Sequence, residues 1–424
     1  VTPAPTRGER PRVLVIAPHA SYRTAPFIAA AHGLEAEVLV ASEGRHSVVS
    51  SYADGLHLDL GDPDRALERI LVESARRPFA GVVGTDDATT ELAARAAGAL
   101  GLPHNPPEAV RRARRKDLAR ARLAEAGVPV PRHWRIDLAA PLAVQADAVR
   151  YPCVLKPIAM SASRGVIRVD DPAQFLAACA RIARIVRDEP EPDARRYLLA
   201  ETFIPGFEVA VEGMLRAGRL EILAVFDKPD PLDGPYFEET YYVTPSRLAL
   251  EQRDELHARV AQACAAYGLR EGPIHAECRI NAQGVWILET AARTIGGLCA
   301  RLMRVGTGYG LEEIVLAHAM GRTIARRAED GAAGVLMIPI PRAGVLRRVE
   351  GLTAAGRVRH IEEVVIAVRE GYELVPLPEG ASYLGFVYAR APTPALVEAA
   401  LREAHACLRV VVAPLFRPVL AGTG

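Results

Sequence analysis

Gly272-Pro273-Ile274-His275-Ala276-Glu277, then Gly284, then Leu288-Glu289-Thr290-Ala291-Ala292-Arg293: this stretch decides how the chain is read. Ile274 to Leu288 has the pattern of a β-hairpin with its loop at Asn281–Gly284. Side chains alternate faces along a strand, so Glu277 falls opposite Glu289 on one face. Directly opposed residues have Cβ atoms about 4.5–5.5 Å apart. Two bare carboxylates at that range repel by about 3 kcal/mol at an effective dielectric near 20. The apolar neighbours Ile287 and Leu288 argue against two acids on a wet sheet. A Mg²⁺ ion that bridges to phosphate oxygens needs such a pair. Arg293 follows Glu289 by four residues with the same parity, so its guanidinium can join that face.

A polyphosphate ligand is also suggested by the lysines. Lys and Arg together number 52, yet lysine occurs at Lys116, Lys156 and Lys228 alone. On a solvated face the two residues are interchangeable, whereas a site that needs a compact ammonium on a flexible stem retains Lys. Lys116 lies on a basic helix ahead of a Gly/Pro break, and Lys156 and Lys228 end apolar strands; chance survival of a lysine explains Lys228 equally well. Lys156-Pro157 leads into Met160-Ser161-Ala162-Ser163-Arg164-Gly165-Val166, where small residues with free N–H groups flanked by cations make an anion-binding loop. It is not a P-loop, because Gly-x-x-x-x-Gly-Lys is absent. Further on, Pro205-Gly206 sets a turn that returns Glu208 towards the strand before it. Backbone groups at Glu201–Ile204 can pair with an adenine edge, and Glu208 can accept from ribose hydroxyls; a charged hairpin tip explains Glu208 as well.

The bulk properties narrow the classes. At 424 residues, two to four domains are expected. A net charge of +1 gives no case for nucleic acid or membrane binding. No run reaches the roughly 18 apolar residues of a membrane span, and Val1 to Pro11 is polar and Pro-rich, without the apolar stretch of a signal peptide. The six cysteines form no Cys-x-x-Cys pair, which points to free thiols in a reducing cytosol and away from zinc.

The first ~105 residues alternate strand and helix, the rhythm of a parallel doubly wound sheet. Strands are expected at Val13–Ala17, Glu37–Ala41 and Ala80–Gly84, and helices at Pro26–His32, Asp64–Arg76 and Thr89–Leu100. Asp86 and Asp87 follow a strand's carboxyl end, where open sheets place ligand groups; helix capping explains at least one of them equally well. Glu108 to Ala126 reads as one helix, stopped by Gly127 with Pro129 and Pro131 behind it. Lys228 to Pro245 reads as a long Pro/Gly loop. From Gly334 short strands with a helix at Pro394–Cys407 suggest a separate small α+β domain.

Taken in order, these pieces resemble the ATP-grasp superfamily, specifically over about Arg111 to Arg322. The pattern of a first ATP lysine before an L-x-x-x-G-x-P-x-P break is met by Lys116, Leu123, Gly127, Pro129 and Pro131. Lys156 matches the second ATP lysine, and Ser161, Ser163, Arg164 and Gly165 the phosphate loop. Glu201, Phe203 and Ile204 match the adenine hinge, Glu208 the ribose acid, and Glu277 and Glu289 the metal acids. His275-x-Glu277 and Glu289-x-x-x-Arg293 followed by Gly296-Gly297 look most like the L-amino acid ligases and related carboxylate–amine ligases. Many superfamily members carry Asn two residues after the second acid; Ala291 stands there, as is frequent among the amino acid ligases.

The resemblance implies an α/β and α+β chain: a doubly wound N-terminal domain at 1–107, an ATP-grasp domain at 108–330 with subdomains about 108–196 and 197–330, and a small α+β domain at 331–424. It implies ATP bound between two sheets with Mg²⁺, or Mn²⁺ in its place, and an acyl-phosphate route to an amide. In that scheme Arg293, Lys228 and His275 serve the chemistry, although His275 can equally cap the hairpin, while Glu239, Gly296 and Gly297 bind substrate. The substrates expected are a small carboxylate and an amine, amino acids first, acted on in the cytoplasm by a chain that can form a homodimer. Two other readings stand beside this one: a carboxylating enzyme that works through carboxyphosphate, and a nucleotide-binding module without catalysis.

Overall fold

Arg12–Ile16 is a strand buried along its whole length, and it organises a parallel sheet ordered Asp54–His57, Glu37–Ser42, Arg12–Ile16, Gly81–Gly84. Helices Thr24–Gly33, Pro63–Arg76 and Asp87–Ala99 accompany it. Strands with helices packed against them read as continuous apolar runs, which is why Val13-Leu14-Val15-Ile16 was legible as one. Asp62 starts the second helix by accepting from the Arg65 N–H, with Pro63 at its first position. The computed structural model describes residues 10–19, 21–43, 54–325 and 330–415. They fall into two units, one from the described parts of Val1–Pro131, Ile204–Phe226 and Pro245–Asp330, the other from those of Arg132–Phe203, Asp227–Thr244 and Gly331–Gly424.

The first unit also holds the antiparallel strands Phe207–Arg216, Gly272–Asn281 and Gly284–Ala291, with Gly272–Asn281 in the middle. Helix Leu250–Tyr267 lies against them, and Val260, Ala263 and Tyr267 share a core with Ile274, Ala276 and Ile287. That helix ends at Gly268 with φ 87°, a left-handed cap that glycine supplies without strain.

The helix expected across Glu108–Ala126 is two helices, Pro107–Arg114 and Lys116–Glu125. Arg115 between them has φ −87° and ψ 105°, outside the helical region. Its guanidinium forks onto Asp117 at 3.0 and 2.9 Å, a buried pair that stabilises the break and places Lys116 on the first turn of a new helix.

The second unit contains an antiparallel sheet ordered His133–Asp137, Tyr197–Thr202, Cys153–Pro157, Ile167–Val169, backed by helix Pro172–Ile185. Four further antiparallel strands follow one another in the order Tyr241–Thr244, Ala332–Ile338, Gly385–Ala391, Ile361–Ile366, with helix Pro394–Cys407 against them. A three-stranded sheet places Gly344–Glu350 between Glu373–Leu374 and Arg409–Ala413. The stretch expected to be a loop at Lys228–Pro245 therefore ends in a strand, Tyr241–Thr244, whose four residues are all buried.

Candidate active site

The acid pair lies on the hairpin of the first unit. Glu277 and Glu289 are direct partners in the register of Gly272–Asn281 with Gly284–Ala291. The register then shifts, Cys278 pairing with Ile287, so Leu288 is the extra residue of a β-bulge. Arg120, buried, donates to the Ile287 and Leu288 carbonyls at 2.7 and 2.8 Å and so holds the bulge open. Lys116 precedes Arg120 by one helical turn and shares its face; its Nζ lies 3.1 Å from Glu289 Oε2.

Beside Glu277 sits His275. Its Nδ1 is 2.6 Å from Glu212 Oε1, and its Nε2 is 3.4 Å from Glu277 Oε1. Burial alone would lower the imidazole pKa, but Glu212 and Glu277 push it up to about 9. Glu212 has no exposed surface; burial pushes its carboxyl up, against the pull of His275 and of the Ile295 N–H, which donates to Oε2 at 3.2 Å. Glu208, the second residue of strand Phe207–Arg216, carries an ion pair with Arg279 at 3.0 Å, and Arg279 also donates to the Ile204 carbonyl at 2.8 Å. A carboxylate oxygen of Glu208 and one of Glu277 lie within 4.8 Å of each other.

This donor set suits a hard divalent cation. Glu277 and Glu289 offer oxygen ligands from facing strands, and Lys116 and the His275 imidazolium stand against them as cations. Arg293, also buried, donates from Nε to Asp87 Oδ2 at 2.8 Å and from Nη1 to the Thr294 carbonyl at 3.0 Å. Burial would raise the Asp87 carboxyl, but Arg293, with Lys116 and Arg23 near, holds it below the usual carboxylate range. Asp86 starts the helix that Asp87 enters, its backbone N–H donating to Thr89 Oγ1 at 3.2 Å. The Gly297 N–H donates to the Tyr22 hydroxyl at 3.0 Å.

In the second unit Lys156 Nζ lies 2.7 Å from Glu201 Oε2, a nearly buried carboxylate on the neighbouring strand. The following loop is tightly wound: Ala162, Ser163 and Gly165 have φ of 55°, 54° and 72°. A Cβ at position 165 would stand 2.6 Å from Pro157 Cγ, so glycine is required there. The Gly165 N–H donates to the Pro378 carbonyl at 2.8 Å and Arg164 Nε to the Glu379 carbonyl at 3.0 Å. Phe203 has the Arg168 guanidinium 4.3 Å from its ring centre, and its N–H donates to the Pro152 carbonyl at 2.9 Å. Lys228 is buried, forms an ion pair with Glu239 and sits 5.2 Å from the Tyr242 ring centre.

Comparison with known proteins gives this arrangement a family. The ATP-grasp domain matches residues 149–301, the ATP-grasp N-terminal domain 28–104, and the L-amino acid ligase C-terminal domain 2 residues 336–413. The chain belongs to the ATP-grasp superfamily. It is 29% identical over 318 residues to carnosine synthase 1 of Gallus gallus, matching 70% of the chain and 34% of that protein. To alanine–anticapsin ligase of Bacillus subtilis it is 27% identical over 335 residues, 68% of the chain and 70% of the relative. The chain thus spans about a third of the length of carnosine synthase. A solved L-amino acid ligase from Bacillus licheniformis superposes with a TM-score of 0.80 at 24% identity, covering 96% of the chain and all of that structure, so the ATP-grasp fold is common to both.

Within this ATP-grasp chain, Lys116, His275, Glu277, Glu289 and Arg293 gather on the first unit with Glu208, Gly296 and Gly297. Lys156 with Glu201, the Ser161–Gly165 loop, and Lys228 with Glu239 are three groups of the second. Sequence reasoning missed Glu212, Arg120 and Arg279. Glu212 had a signal, a lone acid inside Val209-Ala210-Val211-Glu212-Gly213-Met214; Arg120 had another, the four-residue spacing from Lys116. Among the described residues no helix is long and apolar enough to cross a membrane.

Proposed function

We propose that this chain is an ATP-dependent carboxylate–amine ligase that joins two small substrates, amino acids first, through an acyl phosphate. The observation that carries the reading is the opposed pair Glu277 and Glu289, with Lys116 at 3.1 Å from one and His275 at 3.4 Å from the other, beside the buried Arg293. Like charges kept face to face within reach of cations favour a ligand that brings its own phosphates and metal. Lys116, Lys156 and the Ser161–Gly165 loop are assigned to the phosphates of ATP, Glu201, Phe203 and Ile204 to adenine, and Glu208 to the ribose. Glu277 and Glu289 would hold Mg²⁺, or Mn²⁺ in its place. When bound, that cation neutralises phosphate oxygens and draws charge from the breaking bond.

A substrate carboxylate oxygen attacks the γ-phosphorus, and the bond to the β-phosphate oxygen breaks to release ADP. The amine nitrogen then attacks the acyl carbon, phosphate leaves, and the nitrogen gives up a proton. Arg293 holds the carboxylate and then the acyl phosphate; its Nε and Nη1 are fixed by Asp87 and Thr294, which orients the remaining Nη2. His275 orients the substrate, and Glu239 with Lys228 serves the amine side. The same reading divides the chain at 1–107, 108–330 and 331–424 and places it in the cytoplasm. An ADP-release screen over single and paired amino and organic acids tests it: ADP formed with a pair, and not with bicarbonate alone, is the result expected. Stimulation by bicarbonate alone would favour carboxylation instead.

A further inference from the structure

The ligase reading gives separate tasks to two loops of the second unit, and residues without a task in it join them. One is the phosphate loop at 161–165; the other runs over 229–240 and carries Glu239. The phosphate loop leans on a turn at 376–380. The Gly165 N–H donates to the Pro378 carbonyl at 2.8 Å, and Arg164 Nε to the Glu379 carbonyl at 3.0 Å. Both acceptors are backbone oxygens. The turn is closed by the Gly380 N–H, which donates to the Pro376 carbonyl at 2.9 Å, and Pro378 within it is buried. A Cβ at position 380 would overlap the Val375 carbonyl oxygen, so glycine is required there.

From that turn the Glu379 carboxylate reaches Arg181 on helix Pro172–Ile185. Arg181 Nε and Nη2 donate to its two oxygens at 2.6 and 2.8 Å, a fork-to-fork pair that orients both groups. The remaining Nη1 donates to the Tyr236 hydroxyl of the second loop, and the guanidinium lies 5.2 Å from the Tyr236 ring centre. Tyr236 packs on the core that contains Phe175 and Ile182 of the same helix. Arg181 and Glu379 are both partly exposed, and an ion pair of that kind adds little to stability. Its consequence is positional: one guanidinium links the support of the phosphate loop to the second loop. Up to Pro235 that second loop has other anchors. Arg402 Nη2 donates to Asp230 Oδ1 at 2.7 Å, Arg168 Nη1 to the Asp233 carbonyl at 2.8 Å, and the Arg168 N–H to the Pro235 carbonyl at 2.9 Å. Tyr236 is the next residue, and Glu239 follows it by three.

We propose that Arg181 and Glu379 are positioning residues that couple the nucleotide to the amine substrate. Phosphates that settle the loop at 161–165 settle the turn behind it, and the clasp of Glu379, Arg181 and Tyr236 then settles the segment that carries Glu239. The inference rests on the ligase reading above, which assigns the first loop to ATP and Glu239 to the amine side. It gives the C-terminal part of the chain a place in the reaction, since Glu379 lies within the match at 336–413. By linkage, the amine substrate tightens nucleotide binding by the same factor.

Hydrogen–deuterium exchange of the whole chain, read by mass spectrometry with and without Mg²⁺ and ADP, tests the coupling. In the wild type ADP should slow exchange at 161–166 and also, by roughly fivefold or more, at 229–240, the lower end of couplings between sites. Glu379→Ala leaves the backbone carbonyls that hold the phosphate loop, and Tyr236→Phe leaves the Arg181–Glu379 pair. Each should keep the ADP effect at 161–166 and reduce the effect at 229–240 to about twofold or less. Glu379→Gln keeps an acceptor for Arg181 and should restore part of it. A residue that only stiffens the loop would speed exchange at 229–240 by one factor with and without ADP, leaving the ADP effect unchanged. That result in Glu379→Ala and Tyr236→Phe overturns the coupling, as does a wild type protected at 161–166 alone; both leave the ligase reading standing. ADP that leaves 161–166 unprotected overturns the assignment of the phosphate loop, and the coupling with it.

Discussion

Glu289→Gln should leave the unliganded protein nearly as stable as the wild type while removing its response to Mg²⁺ and ADP. The structure sets the size of each part. The variant relieves the repulsion from Glu277, about 3 kcal/mol for charges roughly 5 Å apart at an effective dielectric near 20. It also loses the attraction to Lys116 at 3.1 Å, about 5 kcal/mol on the same scale. The difference is about 2 kcal/mol before solvent screening, and Glu289, with 28% of its side chain exposed, is screened enough to bring it below that. A ligand at a hundred times its Kd stabilises the folded state by about 2.7 kcal/mol. Urea unfolding with and without Mg²⁺ and ADP therefore gives two numbers. In the wild type the ligand increment should be of that order; in Glu289→Gln it should fall to near zero with the unliganded midpoint almost unmoved. A variant that is strongly destabilised without ligand, yet keeps the Mg²⁺-dependent increment, would mean that Glu289 is a structural acid and that the metal assignment is wrong.

Lys156→Arg keeps the charge that pairs with Glu201 at 2.7 Å but replaces a point ammonium by a planar fork; ATP turnover should fall at least tenfold with a raised KM for ATP. Asp87→Asn removes the charge that fixes Arg293 Nε, so KM for the acid substrate should rise by roughly tenfold while KM for ATP stays within about twofold; equal rises in both would point to a general loss of structure. His275 titrates near 9 in the folded chain against about 6.5 when unfolded, so its stabilising contribution is complete below about pH 6.5 and is lost as pH rises towards 9. Urea midpoints of the unliganded protein should decline across that window, and His275→Gln should flatten the decline.

Period-2 alternation made the opposition of Glu277 and Glu289 legible, because strand geometry fixes which residues face each other once a hairpin loop is placed. The bulge after Glu277 was not legible: it depends on Arg120 reaching the Ile287 and Leu288 carbonyls from a helix more than 160 residues away in sequence. Apolar periodicity likewise ran straight through Arg115, whereas the break there is decided by a buried fork onto Asp117. The strand Tyr241–Thr244 hid behind a Pro/Gly-rich approach. Asp86 and Asp87 carried both a capping and a ligand reading in the sequence; the structure uses Asp86 at the helix start and directs Asp87 to Arg293. Glu212 shows the commonest loss: a carboxylate inside an apolar strand signals a partner, but the sequence does not say that the partners are His275 and the Ile295 N–H.

The central claim is that a substrate carboxylate attacks the γ-phosphorus of ATP. Its most direct test is the fate of oxygen in an acid labelled with ¹⁸O at the carboxylate, followed by mass spectrometry of the products. Acyl-phosphate formation predicts ADP, an amide that retains one labelled oxygen, and inorganic phosphate that carries the other. AMP as the nucleotide product, or unlabelled phosphate released alongside the amide, would contradict it.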